Sequence, residues 1–258
     1  MMGGHHAASG AAAWVAVAST APHALGWYPV TPLGVVTGAL LTAGAALLPD
    51  LDHHSGTIAH SLPPVTRILA RITETVSGGH RRGTHSLLGL AVFVVLATAL
   101  GTFTAEVPVF GSVAVGAGIL SVLLMGFAFK ALKIAGGPGR SWFLALVFSA
   151  FIAIYAPENN DWLPVAVGLG VGVHILGDLL THQGVMVLWP IHIKRPRSLA
   201  RFPVVNKLWR SSGCFSIPLI GAAGSWREWA LMVPVTVYAI FGVTVAALTA
   251  LTGWSPYA

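Results

Sequence analysis

The chain has 258 residues, of which 55% are hydrophobic and only 9% are charged. A soluble domain carries about 25% charged residues, so this composition predicts a polytopic membrane protein. The mean hydropathy of +0.77 agrees with that class. A single cysteine, Cys214, excludes both an internal disulfide framework and a zinc site built from several cysteines. We treat residues 1–258 as a single integral membrane domain, because no long linker or clear repeat interrupts them.

Apolar runs follow one another along the chain, several of them near the roughly 20 residues that a bilayer crossing requires. The first run lacks a basic segment ahead of it, so we expect a retained helix rather than a signal peptide. The runs cover residues 10–25, 33–48, 85–105, 109–129, 141–156, 162–181 and 229–252. The predicted fold class is therefore all-α, a helical bundle of about seven transmembrane helices.

The polar region 49–84 contains one short helical pattern. Apolar residues recur in it at helical spacing and charged residues fall between them: apolar Val65, Ile68, Leu69, Ile72 and Val76, and charged Arg67, Arg71 and Glu74. Such a pattern predicts an amphipathic helix that lies on the membrane surface, here on the cytoplasmic side.

The basic residues test the count of seven spans. If the spans alternate in direction, one side receives the N-terminus, 49–84, 130–140 and 183–228, and these segments hold all 14 Lys and Arg residues. Basic residues mark the cytoplasmic side of a membrane. The N-terminus is therefore predicted inside the cell and the C-terminus outside, with 183–228 as a basic cytoplasmic loop.

The opposite side of the predicted bundle holds acidic residues but neither Lys nor Arg. Its charged residues are Glu106, Glu158 and Asp161. The net charge of +6 thus describes one basic face, which suits anionic membrane lipids better than nucleic acid. No nucleic-acid-binding motif occurs in the sequence, so we expect lipids as partners; the oligomeric state stays open.

The stretch 174–182, HILGDLLTH, places three metal-binding side chains four residues apart: His174, Asp178 and His182. On a helix that spacing puts all three on one face. An ionisable residue inside an apolar segment is costly to bury, so it normally has a partner and a function. The predicted topology brings this stretch to the cytoplasmic side together with His5-His6, PDLDHH at 49–54 and HRRGTHS at 80–86. We therefore expect these four pieces to meet and bind metal.

A mixed set of His and Asp side chains suits Zn²⁺ and also fits Mn²⁺ or Fe²⁺. The set has more members than one catalytic metal needs, so a centre with two ions is consistent with it. Such a centre lowers the pKa of a bound water and stabilises a phosphoryl group during transfer. Spare members would orient the ligands. Arg81 or Arg82 would be available to contact a phosphate.

The same motifs resemble one known family. His6 followed by Ala7-Ala8-Ser9-Gly10, then PDLDH, HR-x-x-THS, H-I-L-x-D-x-L-T and LWP at 188–190, is similar to the YdjM family of bacterial inner-membrane proteins, which are classed as metal-dependent hydrolases. The motifs span residues 6–190. We expect the last helix, 229–252, and most of 191–228 to lie outside the resemblance.

Carried over residue by residue, the resemblance implies a metal site formed by His6, Asp50, Asp52, His53, His80, His85, His174 and Asp178. Of these, Asp50, His80 and Asp178 are the predicted catalytic residues. His5, His54 and His182 depart from the family pattern, and their roles stay open. Thr84 and Ser86 would either support neighbouring ligands or begin a helix.

Two functions fit these residues. The first is a hydrolase at the cytoplasmic membrane surface that cleaves a phosphoester of an amphiphilic or lipid substrate through metal-activated water. The alternative is a metal-binding or transport protein without hydrolase activity, in which His174, Asp178 and His182 lie along an ion path. The side with Asp161 carries no matching His/Asp cluster, which favours the hydrolase.

Reporter fusions test the predicted topology. Fusions at Glu106 and Ala258 should report the periplasm and a fusion at Gly137 the cytoplasm, because all basic segments share the side of Gly137. A cytoplasmic signal at Ala258 would contradict a topology with seven spans.

Overall fold

The computed structural model describes residues 1–155 and 161–254. Glu158 and Ala258, which entered the topology prediction, lie outside these residues. The described part is mostly helical, with α1 (Gly3–Ala18), α2 (Pro32–Ala45), α3 (Val65–Val76), α4 (Leu87–Gly101), α5 (Val115–Ala131), α6 (Pro138–Tyr155), α7 (Trp162–Leu179), α8 (Pro203–Leu208) and α9 (Trp226–Thr252). A two-stranded antiparallel hairpin joins α4 to α5, with strands β1 (Ala105–Val107) and β2 (Gly111–Val113).

The amphipathic helix predicted over Val65–Val76 is confirmed as α3. Its apolar side is unpartnered: Ile68 and Ile72 are 55% exposed, and Val76 is 73% exposed. The residues that α3 buries are small, Thr66 and Ala70. An exposed apolar face of this kind is typical of a helix that lies against lipid.

Long apolar helices account for the composition. Among the described residues, three segments are long and apolar enough to cross a bilayer: Pro32–Asp52, Trp162–Leu179 and Trp226–Thr252. In the first of them, a short 3-10 helix over Leu48–Asp52 continues α2. Shorter apolar helices lie at Leu87–Gly101, Val115–Ala131 and Gly139–Tyr155. On α4, which is apolar all round, only Ala97 is buried, so most of its apolar side chains lie at the surface of the bundle.

The hairpin corrects the all-α prediction in one place. The runs 85–105 and 109–129 were expected to be helical almost up to each other, but α4 ends at Gly101 and α5 begins at Val115. Gly111 has φ +70°, which suits a turn, and Pro108 has no N–H for helical hydrogen bonding. The first helix is also displaced: it covers Gly3–Ala18, not 10–25.

Close packing of α1 and α7 on α2 depends on two glycines. A Cβ atom at Gly10 would lie 2.5 Å from the carbonyl oxygen of Thr42, and one at Gly170 would lie 2.6 Å from the same oxygen. His6 is one turn before Gly10 and His174 is one turn after Gly170. The two glycine contacts therefore bring both imidazoles to the same end of α2.

Hydrogen bonds gather other helix ends at this same end of the bundle. At the start of α9, Glu228 Oε1 accepts from the backbone N–H of Met2 at 2.8 Å and lies 2.5 Å from His5 Nδ1. At the start of α6, Trp142 Nε1 donates to the carbonyl oxygen of Ser61 at 2.9 Å. At the other end of the bundle, the Tyr28 hydroxyl donates to Asp161 Oδ1 at 2.8 Å.

A pair of glycine substitutions on α7 tests the close packing. Gly170→Ala places a methyl group 2.6–2.8 Å from atoms of Thr42, Ala45 and Ala46, and Gly172→Ala meets nothing within 4 Å. Overpacking of this kind costs about 1–3 kcal/mol, so thermal unfolding in detergent should show a lower Tm for Gly170→Ala. Gly172→Ala should keep or raise the Tm, because alanine favours helices. Equal Tm values for the two variants would contradict this packing.

Candidate metal centre

Six of the eight predicted ligands form one cluster. Three overlapping triads have one ligand atom per residue within 4.8 Å of the others: His6–Asp50–His174, Asp50–His80–His85 and His85–His174–Asp178. The residues come from α1, the 3-10 helix after α2, the segment before α4, and α7. Four separate sequence motifs therefore contribute to one site.

Four donor atoms converge at the centre of the cluster. His85 Nε2 lies 3.0 Å from His174 Nε2. Asp178 Oδ2 lies 3.6 Å from His85 Nε2 and 3.8 Å from His174 Nε2, and Asp50 Oδ1 lies 3.8 Å from each of these nitrogens. Adjacent ligand atoms of a tetrahedral zinc ion are about 3.4 Å apart. The donor set thus has the chemistry of a zinc site, and each carboxylate lies close to this spacing from the two nitrogens.

The hydrogen bonds of the two histidines determine which ring nitrogens have free lone pairs. His174 Nδ1 lies 2.7 Å from the carbonyl oxygen of Ala46, which can only accept, so Nδ1 carries the proton. His85 Nδ1 faces Asp52 Oδ2 at 3.2 Å and Thr84 Oγ1 at 3.0 Å. In the neutral rings both Nε2 atoms are then acceptors. Two acceptors at 3.0 Å repel unless a cation lies between them, which fits a metal.

Asp52 occupies the centre of a second network, outside the three triads. Its side chain is fully buried, and it accepts from Thr84 Oγ1 at 2.6 Å and from the backbone N–H of Arg81 at 3.1 Å. His80 Nδ1 lies 2.6 Å from its other oxygen. These contacts orient His80 and His85, as carboxylates beside metal-bound histidines commonly do.

His53 also lies outside the triads. Its Nδ1 is 3.1 Å from Ser55 Oγ, and its ring packs edge-on against His80 at 4.5 Å between centroids. Direct metal binding by Asp52 and His53 stays a prediction. The geometry gives both residues contacts with His80 instead.

His6 and Asp178 complete the buried side of the cluster. The His6 ring stacks on His174 at 3.7 Å between centroids, and His6 Nε2 lies 3.2 Å from Asp178 Oδ1. His6 Nδ1 is buried without a hydrogen-bond partner among the described residues. Asp178 also attracts positive groups: the amino group of Met1 lies 2.5 Å from Oδ1, and Arg81 Nη2 lies 3.2 Å from Oδ2.

Arg81, rather than Arg82, belongs to the cluster. Arg81 Nη1 donates to Thr181 Oγ1 at 2.9 Å. The backbone of Arg81 is in the left-handed region, with φ +64°, and this turn directs the side chains of Arg81 and Arg82 to different places. Arg82 is exposed and donates to the carbonyl oxygen of Gly78 at 2.8 Å. The sequence offered both arginines as phosphate contacts, and their separation depends on backbone geometry.

The expectation that His182 shares a helical face with His174 and Asp178 is wrong. Helix α7 ends at Leu179, and the backbone N–H of His182 donates instead to the carbonyl oxygen of Gly221 at 3.0 Å. His182 is exposed, so the helical spacing no longer applies to it.

The two remaining histidines outside the family pattern contact acidic residues. His5 Nδ1 lies 2.5 Å from buried Glu228, and exposed His54 lies 2.8 Å from Glu74. Sequence reasoning missed Glu228. An acidic residue three positions after Ser225 is typical of a helix start, and Ser225 caps α9 here.

The cluster is buried on one side and open on the other. The side chains of His85, His174 and Asp178 are at most 2% exposed, and those of Asp50 and His80 are 25% and 29% exposed. A small molecule would therefore approach past Asp50 and His80.

Long apolar helices around a buried His/Asp cluster define an integral membrane protein with a candidate metal centre. The chain belongs to the YdjM inner membrane protein family, whose model matches residues 1–129 and 139–251. The match continues far beyond residue 190 and includes α9 up to residue 251, so the expectation that the last helix lies outside the resemblance is wrong. Searches of curated proteins and of solved structures found no match.

Metal content of the purified protein tests the cluster. Asp50→Ala, His85→Ala and Asp178→Ala should each lower bound metal, because each removes one of the four converging donors. His60→Ala is the control, since His60 is exposed and bonds to Arg67. Unchanged stoichiometry in all three variants by elemental analysis would contradict the site.

Asp52→Asn separates an orienting residue from a ligand. An asparagine preserves the volume but loses charge beside His80 and His85, and loss of such a partner typically weakens metal binding by about 10–100-fold. A metal titration should show lower affinity with unchanged maximal stoichiometry.

Proposed function

We propose that this protein is a membrane-embedded, metal-dependent hydrolase that cleaves a phosphoester of an amphiphilic or lipid substrate. The observation that carries the proposal is the convergence of two imidazole nitrogens and two carboxylates with an arginine beside them. Zinc suits this donor set best, and manganese or iron(II) are the alternatives.

A second ion would use the triads that share Asp50. His6–Asp50–His174 and Asp50–His80–His85 both include this carboxylate, so the side chains of these five residues would hold the two ions. Two metals in one site stabilise both the attacking and the leaving oxygens of a phosphoryl transfer. Asp178 would contribute its carboxylate from the buried side, where His6 and Arg81 orient it.

A divalent ion would supply a Lewis acid that polarises a phosphoryl oxygen and, for zinc, brings the pKa of water to about 7. The residues of the chain provide the rest. Arg81 is placed to offset negative charge that develops on the phosphoryl group. His80 donates from Nδ1 to Asp52, which leaves its partly exposed Nε2 to take up a proton or bind the second ion.

The proposed active site lies at the cytoplasmic membrane surface of a protein with seven spans. The helix ends agree with this proposal: α1, α4, α6 and α9 begin, and α2, α5 and α7 end, at the end of the bundle that holds the cluster. All 14 Lys and Arg residues belong to the segments predicted at that end. This placement would put the N-terminus inside and the C-terminus outside, and would bring lipid headgroups to Asp50 and His80.

Activity assays with lipid phosphoesters in bilayers or micelles test the proposal. Hydrolysis should disappear in chelator, return with added metal, and rise with pH through the neutral range as water loses its proton. Asp178→Asn should lower the rate by about 100-fold or more, because it removes a charge from the centre of the site. Asp161→Asn, at the opposite end of the bundle, should leave the rate unchanged.

Two results would redirect the proposal. Cleavage that survives both chelation and Asp178→Asn would arise at another site or from a contaminant. Transport of metal ions across the membrane of sealed vesicles, without cleavage of any lipid, would favour the transport alternative.

A further inference from the structure

An apolar groove with a volume of about 300 Å³ lies beside the His/Asp cluster. It lies between α3 and α4, and Trp189 also lines it. Its main lining residues are Ile72, Val76, Thr84, Leu88, Val92 and Trp189. Almost all of this lining is hydrocarbon or aromatic ring, so the groove suits an apolar occupant.

The groove and the cluster share a wall. Thr84 lines the groove, and its Oγ1 donates to Asp52 Oδ2 at 2.6 Å. The next residue, His85, is one of the four converging donors. A molecule in the groove would therefore contact Thr84, which is adjacent in sequence to the proposed metal ligand His85.

The helices on both sides of the groove expose apolar side chains. Ile72 and Val76 on α3 are 55% and 73% exposed, and Leu88 and Val92 on α4 are 46% and 48% exposed. In a membrane these faces lie against lipid, so the groove is open to hydrocarbon chains rather than to water.

A basic residue lies close to Trp189 of the groove lining. A Cβ atom at Gly78 would lie 3.4 Å from Trp189 Nε1 and 3.9 Å from Arg82 Cδ, so these two side chains flank Gly78. Tryptophan is enriched at the level of lipid headgroups. The exposed guanidinium of Arg82 complements a phosphate at that level.

We infer that the groove binds one hydrocarbon chain of an anionic phospholipid and directs the phosphate of that lipid toward Arg82 and the His/Asp cluster. The inference rests on the proposed function for the role of this lipid as substrate. It adds a binding site for the lipid chain and a residue, Arg82, that selects the anionic headgroup.

Photo-crosslinking tests the groove. The purified protein is reconstituted into phosphatidylcholine vesicles that contain phosphatidylglycerol with a diazirine on its acyl chain. Cross-links should concentrate on peptides that contain Ile72–Ser77, Gly83–Phe93 and Trp189. Val92→Trp fills the groove and should reduce this labelling severalfold. Val95→Trp is the matched control, since Val95 is 65% exposed on the same helix and does not line the groove.

A second comparison tests the headgroup. Diazirine phosphatidylglycerol should label the groove severalfold more than diazirine phosphatidylcholine, and Arg82→Gln should abolish the difference. Equal labelling by both lipids in the wild type would overturn the role of Arg82. Labelling spread evenly over all lipid-facing helices, or unaffected by Val92→Trp, would overturn the groove.

Metal content and turnover in the same samples separate this inference from the proposed function. Unchanged metal content in Val92→Trp shows that the variant is folded. Selective groove labelling without cleavage of any phosphoester would leave the lipid site standing and remove the hydrolase. Metal-dependent cleavage together with evenly spread labelling would do the reverse.

Discussion

The structure depends on the burial of charged and polar groups inside an apolar bundle. Asp52 and Asp178 are nearly inaccessible to solvent, and a buried carboxylate is very unfavourable unless cations or hydrogen-bond donors surround it. Arg81 contacts both, through its backbone N–H and its guanidinium respectively. A divalent ion between His85 and His174 would complete this compensation, because these rings otherwise direct two lone pairs at each other.

The packing of the helices positions these groups. Gly10 and Gly170 allow α1 and α7 to approach α2 closely, and His174 then reaches the carbonyl oxygen of Ala46. That hydrogen bond sets the tautomer of the ring. Glu228, at the start of α9, contacts the backbone N–H of Met2 and the ring of His5, and these contacts hold α1 against α9. Helix packing and ligand orientation are therefore coupled, because the same short stretch of backbone, Thr42 to Ala46, takes part in both.

The surroundings of the cluster relate it to the membrane. The cluster is closed toward the bundle and open at Asp50 and His80, where headgroups would lie. The exposed apolar side of α3 and the groove beside α4 adjoin the same region. Thr84 belongs both to the groove wall and to the network of Asp52, so one residue joins the apolar and the polar parts of the proposed substrate site. This arrangement suits a substrate that has both parts.

The sequence alone determined the features that depend on local spacing and composition. The low charge identified a membrane protein, the pattern over Val65–Val76 identified α3, and the motifs identified the family. His174 and Asp178 were placed together because helical spacing is a local property. Only the tertiary structure separated His182 from them, paired His5 with Glu228, and assigned Arg81 rather than Arg82 to the cluster. Those outcomes depend on where a helix ends and on contacts between segments distant in sequence, and no local pattern encodes either.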